Sequence, residues 1–146
     1  MRNCVKMLSM MLLAVSMGCL AACSEPTDAE LLVGHWTLEG ATETVSRTPG
    51  GTEVNDLPGF EGQTMDLYAD NVCCRVDRGD STLCRWFLAE GRQLLFSNGE
   101  TVTEDYQIDD LTDERLALSH AYIYHDSLAD TRVQCLYQYE YTKTKN

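Results

Sequence analysis

The sequence predicts an all-β domain, an eight-stranded antiparallel up-and-down barrel, behind an N-terminal export segment. Three observations point there. Past Gly34 the chain is a series of short β-prone runs with no sustained helical period. Most connections between those runs are hairpin-length and rich in Gly, Asn and Asp. A meander of eight strands in so short a chain removes its free edges most simply by closing on itself. The length, 146 residues, suffices for one core and is too short for two. Lys and Arg total 11 against 23 Asp and Glu, a formal charge of −12. Such a chain repels nucleic-acid phosphates, so no nucleic-acid partner is expected. Its 44% hydrophobic and 23% charged residues are those of a globular protein, and 7 Cys are many for a reducing cytosol.

Arg2 and Lys6 precede an uncharged, mostly apolar run from Met7 to Leu20. That run is long enough for a signal-peptide core and shorter than the roughly 20 residues of a spanning helix. It ends in Leu20-Ala21-Ala22-Cys23, which resembles the lipobox of bacterial lipoproteins, where the Cys is lipidated and the preceding peptide removed. The resemblance implies a signal peptide over 1–22, lipidation of Cys23 by acyl chains such as palmitate, and membrane lipid as a partner. The alternative is an ordinary signal peptide cut near Ala22, with Cys23 left as a thiol. Gly18-Cys19 matches less well, because Ser16 stands where the pattern has Leu. Removing 22 of the 146 residues leaves 124, and the loss of Arg2 and Lys6 takes the charge from −12 to −14. Two or more acyl chains anchor a protein stably where one does so only marginally. In the lipoprotein family an Asp after the Cys tends to signal retention at the inner membrane; Ser24 stands there instead, so the bacterial outer membrane is the expected location.

Residues 23–30, the lipidated Cys with the acidic, Pro-containing stretch after it, suit a short solvated tether. The barrel domain then occupies 31–146. Strands are predicted near 35–46, 63–68, 72–77, 82–89, 93–97, 101–109, 116–125 and 133–142. Ala69-Asp70-Asn71, Arg78-Gly79-Asp80-Ser81, Glu90-Gly91-Arg92 and Asn98-Gly99-Glu100 read as tight turns. Thr48 to Gly62, with Pro49-Gly50-Gly51 and Leu57-Pro58-Gly59, reads as a long loop over one mouth of the barrel.

Leu31-Leu32-Val33-Gly34-His35-Trp36-Thr37-Leu38 is similar to the opening of lipocalin-like domains, whose Gly-x-Trp motif starts the first strand. Tyr106-Gln107-Ile108 through Leu111-Thr112 to Leu116-Ala117-Leu118 resembles a hairpin of bacterial lipocalin-like lipoproteins. With Trp86 and the strand Leu94 to Phe96, the resemblance covers most of 31–142. It implies a barrel whose floor is closed by Trp36. The Arg that packs on that Trp in many lipocalins has no evident counterpart.

Residues two apart in a strand share a face. One inward set is Trp36 and Leu38; Met65 and Leu67; Val72, Cys74 and Val76; Cys84, Trp86 and Leu88; Leu94 and Phe96; Tyr106 and Ile108. It continues with Leu116, Leu118, Tyr122 and Tyr124, then Val133, Cys135, Tyr137, Tyr139 and Tyr141. Trp36, Trp86, Leu88, Phe96, Tyr106, Tyr122, Tyr137 and Tyr139 are the candidate ligand-lining residues. Amphipathic Tyr rings suit a ligand with one apolar and one polar part, and equally suit the plain filling of a small barrel.

Cys73, Cys74, Cys84 and Cys135 form an even set in an exported chain, which predicts two disulfides. Cys74 faces Cys84 in one register and Cys73 faces it in a register one residue away. Metal is not expected, since vicinal cysteines on a strand point apart. His35, His120 and His125 make no cluster by spacing, although His120 is a candidate inward residue. Arg78-Gly79-Asp80 matches an adhesion tripeptide and reads as an ordinary turn. No nucleophile elbow, zinc-protease motif or phosphate loop is present, so neither enzymatic activity nor a cofactor is expected.

Three functions remain. One is a monomeric, membrane-anchored barrel holding a small, partly apolar ligand. Another is a solid-core envelope interaction or inhibitor-like protein that acts through its acidic surface or the 48–62 loop. The third, a lipocalin-like isomerase or lyase, requires an inward Asp or Glu beside an inward His or Arg.

Overall fold

The computed structural model describes residues 25–144; the expected signal peptide and Cys23 lie outside them. One short helix, α1 (Asp28–Leu32), precedes nine strands: β1 (Gly34–Thr48), β2 (Thr52–Asp56), β3 (Thr64–Leu67), β4 (Val72–Asp77) and β5 (Asp80–Ala89). β6 (Gln93–Ser97), β7 (Val102–Leu111), β8 (Arg115–Asp126) and β9 (Thr131–Lys143) complete them. All pairs are antiparallel. β3 through β9 follow one another in order, and β1 closes the barrel by pairing with β3 on one side and β9 on the other. The closed barrel is therefore eight-stranded, with β2 added outside it.

Two segments differ from the sequence reading. The loop expected over 48–62 contains β2, which folds back on β1 with Thr44 opposite Val54. Only one side of β2 is paired and all five of its residues are exposed, so no buried face marks it as a strand in the sequence. Residues 28–30 of the expected tether belong to α1. There Thr27 accepts from the Glu30 amide while the Glu30 carboxylate accepts from the Thr27 amide, a reciprocal cap at the helix start.

The helix covers one end of the barrel. Leu32 is fully buried, and its carbonyl accepts from Trp36 Nε1 at 2.8 Å. Trp36 is itself 0% exposed and packs with Met65, Leu67, Leu94, Leu111 and Leu116 in the main core. The cation on the Trp is a Lys at the far end of the chain. Lys143 Nζ lies 4.7 Å from the Trp36 ring centroid and donates to the carbonyls of Leu31 at 2.6 Å and Val33 at 2.8 Å. Burial pulls the Lys143 pKa below its ordinary value.

At the other end the strands separate. β7 pairs with β8 only from Gln107 to Leu111, and β3 meets β1 only over Gly34–Thr37. The outer halves of β1, β9 and β8, with β2, continue past the barrel as a four-stranded wall. A second small core of Val45, Val133 and Cys135 lies on it, with Tyr137 packed alongside.

Candidate functional site

The open end holds a cavity of about 500 Å³. Met65, Phe96, Cys84 and Tyr141 supply apolar surface, Thr64, Thr82, Asn98 and Thr103 polar groups, and Arg75 and Glu104 charge. Phe60, from the segment after β2, also lines it. Its rim carries Asp77 and Asp80 on either side of the β4–β5 turn.

Arg75 and Glu104 reach each other across the interior: Nη1 donates to Oε1 at 2.7 Å. Tyr106 Oη donates to the other carboxylate oxygen, Oε2, at 2.6 Å. The Arg75 guanidinium carbon stands 5.3 Å from the Phe96 ring centroid. Around Tyr106 the rings of Phe96, Tyr139 and His120 make edge contacts at 5.9, 5.7 and 6.0 Å. His120 Nδ1 donates to the Asp105 carbonyl at 2.8 Å.

This trio is electrostatically locked. Burial works to raise the Glu104 pKa, but hydrogen bonds from Tyr106 and Arg75 outweigh it and hold the carboxyl below its usual range. Burial, then the bond to that carboxylate, pushes the Tyr106 hydroxyl well up. Burial also opposes the charge on Arg75, yet the Glu104 bond leaves its pKa raised. Burial pushes Tyr141 up to about 12. Near neutral pH the site thus presents a fixed cation, a fixed anion and protonated phenols.

The candidate lining residues divide. Phe96 borders the cavity. Trp36 and Trp86 are packed in the core, Trp86 Nε1 donating to the Tyr68 carbonyl at 2.9 Å. Leu88, Tyr106 and Tyr139 are partly buried against that core. Tyr122 and Tyr137 stand on the wall beyond the barrel, their rings stacked at 5.9 Å, and Tyr122 is 42% exposed. Tyr137 Oη donates to Glu43 at 2.6 Å, and that bond is the chief cause of its raised pKa. Tyr124 is exposed on the same wall.

β4 runs in the opposite phase to the expected one. Cys73 is fully buried and Arg75 points inward, where the reading had placed Val72, Cys74 and Val76. The reason is the turn. Arg78 and Gly79, at φ 51 and 90, make a two-residue hairpin loop flanked by Asp77 and Asp80. Counting back from it sets Cys73 opposite Cys84 and Arg75 opposite Thr82. Directly opposed residues share a face, so the inward Trp86 carries Cys84, Thr82, Cys73 and Arg75 inward with it. The Arg78-Gly79-Asp80 tripeptide lies on this turn.

The two expected disulfides are absent: Cys73, Cys74, Cys84 and Cys135 are all free thiols. Cys74 lies opposite Leu83, and Cys135 sits on β9 opposite Tyr122 and Val45. Cys73 and Cys84 do oppose one another. The Trp86 amide donates to the Asn71 carbonyl, so the alternation from that pair makes Cys73–Cys84 a hydrogen-bonded position, where side chains stand farther apart than at the intervening ones. Burial, followed by contact with Cys84, raises the Cys73 thiol pKa strongly and leaves it an inert thiol.

Among the described residues no group of three or more His, Cys, Asp or Glu is placed to hold a metal ion. The histidines are dispersed, His35 pairing with Asp66 at 2.6 Å and His125 with Asp130 at 3.3 Å. The site residues that the sequence reading missed are Arg75 and Glu104. No family model, curated protein or solved structure matches the chain.

Proposed function

We propose that the protein is a bacterial envelope lipoprotein, anchored through an acylated Cys23 to the outer membrane, whose barrel binds a small, partly apolar ligand at its open end. The observation that carries the binding reading is the cavity of about 500 Å³ with Arg75, Glu104 and Tyr106 in its wall. Its size is that of a small-molecule site, and a few converging polar groups in an otherwise apolar wall fix a ligand's orientation. Met65, Phe96 and Tyr141 take the apolar body, while the guanidinium and carboxylate take a polar head.

An inward acid beside an inward Arg also meets the requirement set for a catalytic barrel. The locked ionisation favours recognition over proton transfer, since a general acid or base works best with a pKa near the operating pH. The interaction reading, through the acidic surface or the 48–62 segment, draws on the exposed β2 and not on the cavity.

The test is a thermal-shift and Trp-fluorescence screen of the purified chain against fatty acids, sterols, isoprenoids, haem and small glycans. A true ligand at a hundredfold excess over its Kd stabilises the fold by about 2.7 kcal/mol. Glu104→Gln and Arg75→Gln should each weaken that ligand's binding. If no compound shifts either signal, the binding reading fails. Fatty-acid labelling of wild type and of Cys23→Ser tests the anchor separately: label on the first and not on the second supports it, and an unlabelled wild type refutes it.

A further inference from the structure

Among the described residues one edge of the wall is unpaired. From His120 to Asp126, β8 pairs only with β9, because β7 parts from it beyond the Gln107–Ser119 pair. Lys143 donates its amide to the Glu114 carbonyl, and the alternation from that pair turns the even-numbered β8 residues toward β9. The backbone groups of Ala121, Ile123 and His125 therefore face the free side, where no described strand pairs with them. This stretch has no Pro, no Lys and no bulge, the usual devices that blunt an edge. The wall's opposite edge, β2, is five residues long and guarded by Glu53 and Asp56.

We propose that the His120–Asp126 edge is the interface with a second copy of this chain, the two β8 strands pairing antiparallel about a two-fold axis at Ile123. In that register the segment His-Ala-Tyr-Ile-Tyr-His-Asp is self-complementary. Ile123 meets its own copy, and Ala121 meets His125 of the partner subunit, at hydrogen-bonded positions that use the free backbone groups. Tyr122 meets Tyr124 of the partner subunit and His120 meets Asp126 of the partner subunit at the closer positions between them. Symmetry makes each of these cross pairs twice. Aromatic pairs are favourable cross-strand combinations, and the His120 ring comes beside the carboxylate of Asp126 of the partner subunit as a polar pair. Centring the axis on Tyr124 instead sets Asp126 against Tyr122 and forfeits the pairing of His120 with Asp126 of the partner subunit.

The contact is isologous and stops at two copies. Pairing of β8 with the β2 edge of another copy would instead run head to tail without closing, and in β2-to-β2 pairing the acids of the two edges meet. The dimer joins Tyr122 and Tyr124 of both copies, 42% and 49% exposed in the single chain, into one aromatic strip. A single barrel leaves this strip in water, and the proposed dimer is the alternative to the monomer expected from the sequence.

Sedimentation velocity of the full chain across a wide concentration range tests the interface. It should be run at physiological ionic strength, where a Debye length of about 8 Å screens the repulsion between two acidic copies. Ile123→Pro removes an outward amide and no β9 bond, as edge positions tolerate. Ile123→Lys sets like charges face to face on the axis and alters a side chain that is 53% exposed. Wild type should reach twice the mass of one chain, and each variant should raise the dimer Kd at least about tenfold, or 1.4 kcal/mol, with unchanged circular dichroism. A wild type that stays monomeric throughout overturns the proposal. So do variants that associate as wild type does, because association through the shared Met7–Leu20 segment would survive both substitutions. Should Ile123→Pro unfold, Ile123→Lys decides.

Discussion

A carboxylate inside a barrel is tolerable only when its charge is answered on every side, and Glu104 has Arg75 on one oxygen and Tyr106 on the other. The consequence is a defined dependence on pH. Its pKa is below the ordinary value when folded and near 4.3 when unfolded, so the unfolded chain binds the proton more readily. The stabilisation is complete above that ordinary value and is lost as pH falls through the lower, folded one. Glu104→Gln removes this titration. The melting temperature of the variant, followed from pH 7 downward, should fall less steeply below about pH 4 than that of wild type. Two parallel curves would show that the ion pair contributes nothing. The inward Arg was hidden in the sequence because β4 alternates Val72, Cys74, Val76, an apolar set that pattern reading places inside. Glu104 shares its face with Tyr106 and Ile108 and was legible by the same period-two rule. Its place among the many acids of 104–114 gives it no distinguishing mark in composition. A site that sets charge against the apolar pattern is where such reading fails for a physical reason.

The β4–β5 hairpin is the element that places Arg75, and its register follows from the positive φ of Arg78 and Gly79. Gly79, at φ 90, has nothing within 4 Å of where a Cβ would stand, so a substitution there meets only backbone strain. Gly79→Ala should therefore cost about 1 kcal/mol in urea unfolding, with no clash to add to it. A slipped register would also carry Arg75 outward, which ligand affinity would report. Most strands were legible because hairpin turns punctuate them: β4 and β6 have the expected bounds, and β3, β5, β7, β8 and β9 differ by a few residues at their ends. What stayed hidden was β2, which buries nothing, and α1, whose five residues draw their stability from Leu32 packing under Trp36. Short helices rely on tertiary contact more than on propensity, and the one local trace of α1 is the Thr27-x-x-Glu30 cap before Leu31 and Leu32. The Cys73–Cys84 pairing was legible as an alternative, and a stricter count of the turn, two residues and not four, would have selected it.

At the scale of the whole molecule, two ends work differently. The covered end is built from both extremes of the barrel chain, with α1 and β1 from the start and Lys143 from the finish. The open end is built mostly from the middle, β3 to β7, with Phe60 and Tyr141 added, and holds the cavity. Substitutions at the covered end should act on stability and those at the open end on binding, a separation that the ligand screen and thermal melts read together. The meeting of the extremes has one more consequence. Thr144 donates its amide to the His35 carbonyl at 2.9 Å, so the chain's path through the barrel is nearly a ring. Where the first and last elements of a domain lie together and a turn elsewhere is exposed, the chain can be cut at the turn and rejoined across those elements. A circular permutant of residues 25–144, opened between Arg78 and Gly79 and joined by a short Gly-Ser bridge, should keep the β1–β9 closure and give the wild-type circular dichroism spectrum. It should also lose stability, since the cut frees the hairpin that sets the position of Arg75. A permutant that fails to fold would mean that the barrel depends on the β4–β5 connection itself and not only on which strands finally pair.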